Sequence, residues 1–78
     1  MDTAECLAVV LATASEVFGT EVSATDNFFD LGGNSLVAVQ LTAQLEERLG
    51  KEVDFISLLS VQNFEEFSIT MTEEFEHR

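Results

Sequence analysis

Apolar residues recur at helical spacing in three separate stretches of this chain, and that periodicity constrains its fold more than any other feature. Leu7, Val10, Leu11, Ala14, Val17 and Phe18 fall on one face of a helix predicted from Thr3 to Phe18, with Gly19 as its stop. A second helix is predicted from Ser35 to Leu49, ended by Gly50. At about 100° per residue its Ala38, Leu41, Thr42, Leu45 and Leu49 gather on one side. In the third stretch Phe64, Phe67, Met71 and Phe75 stand three and four apart, a core stripe rather than a cofactor box. Asn63 suits the N-cap there, and Glu65 and Glu66 suit the first turn. A further short element is expected at 57–60, and a polar tail beyond Phe75 is expected to fray. The chain has no proline. The expected fold is all-α: a small four-helix bundle of three main helices plus one short one, with a long structured first loop.

Seventy-eight residues make a single domain, 1–78 with its core at about 3–76, and 46% hydrophobic content is ample for a small core. No apolar run approaches the ~20 residues needed to span a bilayer. The first residues, with Asp2 and Glu5 and no basic residue, do not read as a signal peptide. A lone cysteine, Cys6, rules out an internal disulfide and fits a reducing, cytoplasmic setting. It is expected to be a small apolar filler or a helix-surface residue, since the single histidine, His77, lies at the far end.

Fifteen acidic residues against three basic ones leave a net charge of −12. Phosphate repulsion then argues against nucleic acid as a partner. Such a surface keeps a protein soluble, and it can also steer it toward basic docking surfaces.

Residues 19–34 show no clear period and form a connection long for so small a domain, of the kind that is functional or internally packed. Phe28, Phe29 and Leu31 are expected to pin it to the core with at least two side chains. The loop ends in Asp26-Asn27-Phe28-Phe29-Asp30-Leu31-Gly32-Gly33-Asn34-Ser35-Leu36. Ser35 follows a Gly-Gly turn where a strong helical pattern begins, so its hydroxyl is exposed near the positive end of a helix dipole. That place suits a phosphate, although Gly-Gly before Asn or Ser is also how many helices start. Leu36, Val39 and Ala43 cluster on a second side of the same helix, away from the core face. A bundle helix needs one apolar stripe, so this second one reads as a binding surface beside Ser35. Ile56 is expected to face outward as well, with Val53, Phe55, Leu58 and Leu59 filling the core.

Other chemistries fail on these residues. A calcium loop started at Asp26 places Phe28, Leu31 and Val37 where a ligand, a glycine and a bidentate glutamate are required. A nucleophile elbow at Gly33-Asn34-Ser35-Leu36-Val37 lacks its second glycine and a preceding strand, and His77 would be its base. One cysteine and one terminal histidine assemble no metal site.

The segment Asp-x-Phe-Phe-x-Leu-Gly-Gly-x-Ser-Leu resembles the signature of the peptidyl carrier proteins, the thiolation domains of non-ribosomal peptide synthetases within the acyl carrier protein-like family. The similarity extends from about Leu7 to Phe67 as helices of matching length. It departs from the family pattern at Ile56, where a polar residue is common, and at Gln62 and Asn63, where proline and threonine are.

The resemblance implies covalent 4′-phosphopantetheine on Ser35, placed there from coenzyme A and magnesium by a phosphopantetheinyl transferase. The expected partner interface is Asn34, Leu36, Val39, Ala43 and Ile56: the resemblance points the same way for the helix after Ser35, whereas Ile56, a departure from the family, is read as a partner-specific apolar contact. The resemblance also implies no catalysis by the chain itself: a carrier, expected to be monomeric, holds aminoacyl, peptidyl or acyl cargo as a thioester. An adenylation or acyltransferase enzyme would load it, and condensation, ketosynthase or tailoring enzymes would act downstream in antibiotic or polyketide biosynthesis. Asn34 before Ser35 leans toward aminoacyl or peptidyl cargo. The Met1 start and the end soon after the last helix suggest a free-standing carrier. The competing reading is an acidic, non-catalytic adaptor in which Ser35 is only a helix cap.

Overall fold

Each helix of the computed structural model begins at a side chain that accepts a hydrogen bond from the first turn. The structure describes residues 2–76. In α1, Thr3–Phe18, the Asp2 carboxylate accepts from the Glu5 amide at 2.8 Å. In α2, Ser35–Leu49, Asn34 does the same for Val37 at 3.0 Å. Asp54 caps α3, Phe55–Ser60, and the Asn63 side chain accepts from Glu66 at the start of α4, Phe64–Glu76. Gly19 and Gly50 close α1 and α2 in the left-handed region, φ 71° and 69°, where a Cβ would be strained. Among the described residues there are four helices and no strand.

α1 packs along both α2 and α4, while α3 bridges α2 and α4. Ala38, Leu41, Leu45 and Leu49 of α2 meet Cys6, Val10 and Ala14 of α1 and Phe64, Phe67 and Met71 of α4 in one core. The predicted core face of α2 is therefore correct at every position, including Thr42, whose hydroxyl donates to the Ala38 carbonyl. Of the α4 stripe, Phe75 is only partly buried, and the Lys51 ammonium lies 5.5 Å from its ring centroid. The fraying expected of the last residues concerns His77 and Arg78, which lie outside the described residues.

Three expectations need correction. The innermost line of α1 is Cys6, Val10, Thr13 and Ala14, while Leu7, Leu11, Val17 and Phe18 are partly buried at its flanks. The cause is that α1 serves two helices and turns the line between them inward. Thr13 survives there because its hydroxyl donates to the Val9 carbonyl and accepts from Arg48 Nη1 at 3.0 Å. The short helix starts two residues earlier than expected, because the Asp54 carboxylate caps it through the Ile56 amide. That start turns Phe55 outward, 38% exposed, and leaves Val53 and Leu58 in the core with Leu59 beside them. The first loop is pinned by at least two of its expected side chains, buried Phe28 and partly buried Leu31, joined by Val22, while Phe29 is 50% exposed.

Polar contacts complete the anchoring of that loop. The Val22 amide donates to Ser15 Oγ, and the Ser23 amide to the Asp26 carboxylate. The Asn27 side chain donates to the Gln62 carbonyl at 2.8 Å. Amides of Phe64 and Glu65 donate to the carbonyls of Asp26 and Ala24, so the loop supplies acceptors that the first turn of α4 lacks. The segment leading to Ser35 is thereby held against the bundle.

Candidate functional site

The turn before Ser35 is built around one phenylalanine. Asn27 Oδ1 accepts from the amides of Phe29 and Asp30, which folds the chain back at Asp30. The Gly32 amide donates to the Phe29 carbonyl and the Gly33 amide to the Phe28 carbonyl. Gly32 has φ +92°, and a Cβ on Gly33 would lie 2.6 Å from the Phe28 ring. One glycine therefore permits the backbone path and the other permits contact with the ring. Phe28 in turn meets Phe18 at the end of α1 edge-on at 5.7 Å, and Phe29 at 5.5 Å.

Asn34 leaves this turn in an extended conformation, its carbonyl accepting from the Ala38 amide and its side chain from Val37. The cap of α2 is thus Asn34. Ser35 is the first residue inside the helix, exposed, and its hydroxyl has no hydrogen-bond partner among the described residues. The idea that Ser35 serves as the cap does not hold. The amides of Ser35 and Leu36 are likewise without a partner among the described residues. An anion attached at Ser35 would face two free donors at the positive end of a helix of 15 residues. The donor set therefore fits a phosphodiester.

Electrostatics favour the same position. The first turn of α2 contains no acidic residue, whereas those of α1 and α4 do. Indeed residues 31–45 carry no charged side chain at all, in a chain with a net charge of −12. Beyond Ser35 the second stripe of α2 is exposed as expected: Leu36 68%, Val39 48%, and Ala43 on the same side. Ile56 of α3 is 53% exposed, also as expected. Asn34 is exposed, but its carboxamide oxygen is committed to the cap. Sequence reasoning missed the exposed Phe29 and Phe55. The Asn27 and Asp54 side chains that orient them were legible as turn and cap residues.

Cys6 is far from this chemistry. It is fully buried, and burial pushes its thiol above the ordinary range, an effect that the neighbouring Thr72 hydroxyl partly offsets. Among the described residues no group of three or more His, Cys, Asp or Glu could hold a metal ion.

Comparison with known proteins agrees with this geometry. Residues 8–71 match the family described as the phosphopantetheine attachment site. The nonribosomal peptide synthetase kk1B of Curvularia clavata is 53% identical over 49 residues, 63% of this chain and, to the nearest per cent, 0% of that protein. Surfactin synthase subunit 2 of Bacillus subtilis (strain 168) is 35% identical over 57 residues, 73% of this chain and 2% of that protein. The chain thus spans only a small fraction of the length of these relatives. Among solved structures, BlmI, a type-II acyl carrier protein from Streptomyces verticillus involved in bleomycin biosynthesis, superposes with TM-score 0.86 at 23% identity. The match covers 94% of this chain and 89% of that one, and it shows a shared fold. The chain belongs to the phosphopantetheine attachment family. The cofactor of this family is 4′-phosphopantetheine.

Proposed function

We propose that Ser35 is the attachment point and that this chain performs no chemistry of its own. The observation that carries this reading is a free serine hydroxyl on the first residue of α2, displaced from the cap by Asn34 and set beside two unpaired amides. A phosphopantetheinyl transferase, with coenzyme A and magnesium, supplies the group. The bond from Ser35 Oγ to phosphorus forms as the phosphoanhydride bond of coenzyme A breaks. Adenosine 3′,5′-bisphosphate leaves, and the hydroxyl proton passes to a base on the transferase. Once attached, the arm's terminal thiol holds acyl, aminoacyl or peptidyl cargo as a thioester.

The contribution of the chain is positional. Asn34 and the Gly32-Gly33 turn hold the serine outward, and the free amides of α2 offset the phosphodiester charge. The tether raises the effective concentration of cargo at whichever enzyme docks beside it. Leu36, Val39, Ala43 and Ile56 form the docking surface for loading, condensation, ketosynthase or tailoring enzymes, acting in the cytoplasm on a monomeric carrier. Asn34 before Ser35 and the relatives' peptide synthetase character favour aminoacyl or peptidyl cargo.

Intact-mass measurement after incubation with coenzyme A, magnesium and a transferase of broad specificity tests the assignment. One phosphopantetheine should be added to the natural chain and none to Ser35→Ala. Modification of the Ala variant would refute the site, and an unmodified natural chain would refute the carrier reading.

A further inference from the structure

The Asn27 side chain makes three hydrogen bonds that leave in two directions. Its Oδ1 accepts from the amides of Phe29 at 2.8 Å and Asp30 at 3.1 Å. Its Nδ2 donates at 2.8 Å to the carbonyl of Gln62, 35 residues further on, in the segment between α3 and α4. Both ends of the carboxamide are thus committed, on a residue that is only partly buried.

Each direction has a consequence for Ser35. The two peptide planes held by Oδ1 are those whose carbonyls, on Phe28 and Phe29, accept from Gly33 and Gly32. In a planar trans unit the N–H and C=O point oppositely, so fixing the amides aims the carbonyls at the glycines. Gly33 then leads directly to Asn34 and Ser35. The bond to Gln62 adds a side-chain tie to a seam in which the Phe64 and Glu65 amides donate to the Asp26 and Ala24 carbonyls. The turn before the serine is therefore fixed to the start of α4.

We propose that Asn27 is a positioning residue for modification of Ser35, holding the Gly32-Gly33 turn in the arrangement, relative to α4, that a transferase engages. The inference rests on Ser35 as the attachment point. Asn27 falls at an open position of the signature Asp-x-Phe-Phe, so it extends the site beyond the residues that the signature names. Without its bonds the free chain visits that arrangement part of the time, and the apparent affinity falls by the same fraction. Once docked, the serine is placed as before, so the effect falls on KM and spares kcat.

Steady-state kinetics with a broad-specificity phosphopantetheinyl transferase, coenzyme A and magnesium, varying the carrier well below its melting temperature, separates the two constants. Asn27→Ala, which removes all three bonds, should raise KM by about tenfold and change kcat by less than about twofold. Asn27→Ser keeps an acceptor for the turn but is too short to reach Gln62, and should raise KM by about threefold. Arg48→Ala cuts the link from α2 to Thr13 and Glu16 and should leave KM within about twofold. In Asn27→Ala, amide hydrogen exchange should quicken more at Gly32 and Gly33 than at Leu41 and Leu45. A KM for Asn27→Ala within about twofold of the natural chain would overturn the inference. So would a fall confined to kcat, or an equal rise of KM in Arg48→Ala, which is the mark of general destabilisation. Where Asn27→Ala does not fold, Asn27→Ser decides by the same criteria. Any of these results with Ser35 still modified overturns this inference alone. A natural chain that is never modified overturns the carrier reading and this inference with it.

Discussion

Gly33 illustrates how much one hydrogen atom decides at this site. Its missing Cβ is the space that Phe28 occupies, and Phe28 is wedged between Phe18 and Phe29. Gly33→Ala is expected to displace that ring and to cost about 1–3 kcal/mol, the usual range for overpacking. Denaturant titration followed by circular dichroism measures the loss, and a midpoint unchanged from the natural chain would show that the ring yields freely. Cys6 gives a second prediction at this scale. Its folded-state pKa is raised by burial, so the neutral thiol is the favoured form, and that contribution to stability holds below the unfolded pKa and fades as pH rises through the folded value. At mildly alkaline pH a thiol reagent should therefore label the denatured chain rapidly and the native chain slowly. Equal rates would place Cys6 outside the core.

At the scale of one element, α2 has two apolar sides with different work. Leu41 and Leu45 are fully buried, while Leu36 and Val39 are exposed. Leu41→Ala or Leu45→Ala should each cost about 2–5 kcal/mol of folding stability, a large share of what so small a domain has. Leu36→Asp or Val39→Asp should keep the helical signal and nearly the original stability, yet slow modification and loading, since each places an unpaired charge in an apolar contact. Thermal melts and initial rates separate the two classes. A Val39→Asp chain that unfolds beside a silent Leu45→Ala would reverse the assignment of faces.

Across the whole molecule, repulsion among fifteen carboxylates opposes compaction, and the sequence supplies three basic residues to offset it. The Arg48 guanidinium bonds Glu16 at 2.7 Å and holds its carboxyl below the usual range. That pair is solvent-exposed, so it contributes little, and its contribution is lost as pH falls through the depressed Glu16 value. Added salt should therefore raise the melting temperature by screening the net repulsion. Calorimetry over moderate NaCl concentrations checks the direction, and a flat or falling response would show repulsion to be minor.

Local periodicity and capping chemistry determined the four helices, because Asn34, Asn63, Gly19 and Gly50 act on the residues next to them. The same local information made the two faces of α2 and the exposure of Ser35 and Ile56 readable. Placement that depends on partners distant in the chain was not readable. The inward line of α1 follows from two helices packing on it at once, which admits Thr13 and demotes Leu7. Phe28 and Phe29 are adjacent and chemically identical, and only the space over Gly33 decides which one enters the core. Phe55 turns outward because Asp54 starts α3 early and Leu58 fills the interior place. A hydrophobic side chain carries its transfer free energy wherever it sits, but the shape that receives it belongs to the assembled bundle.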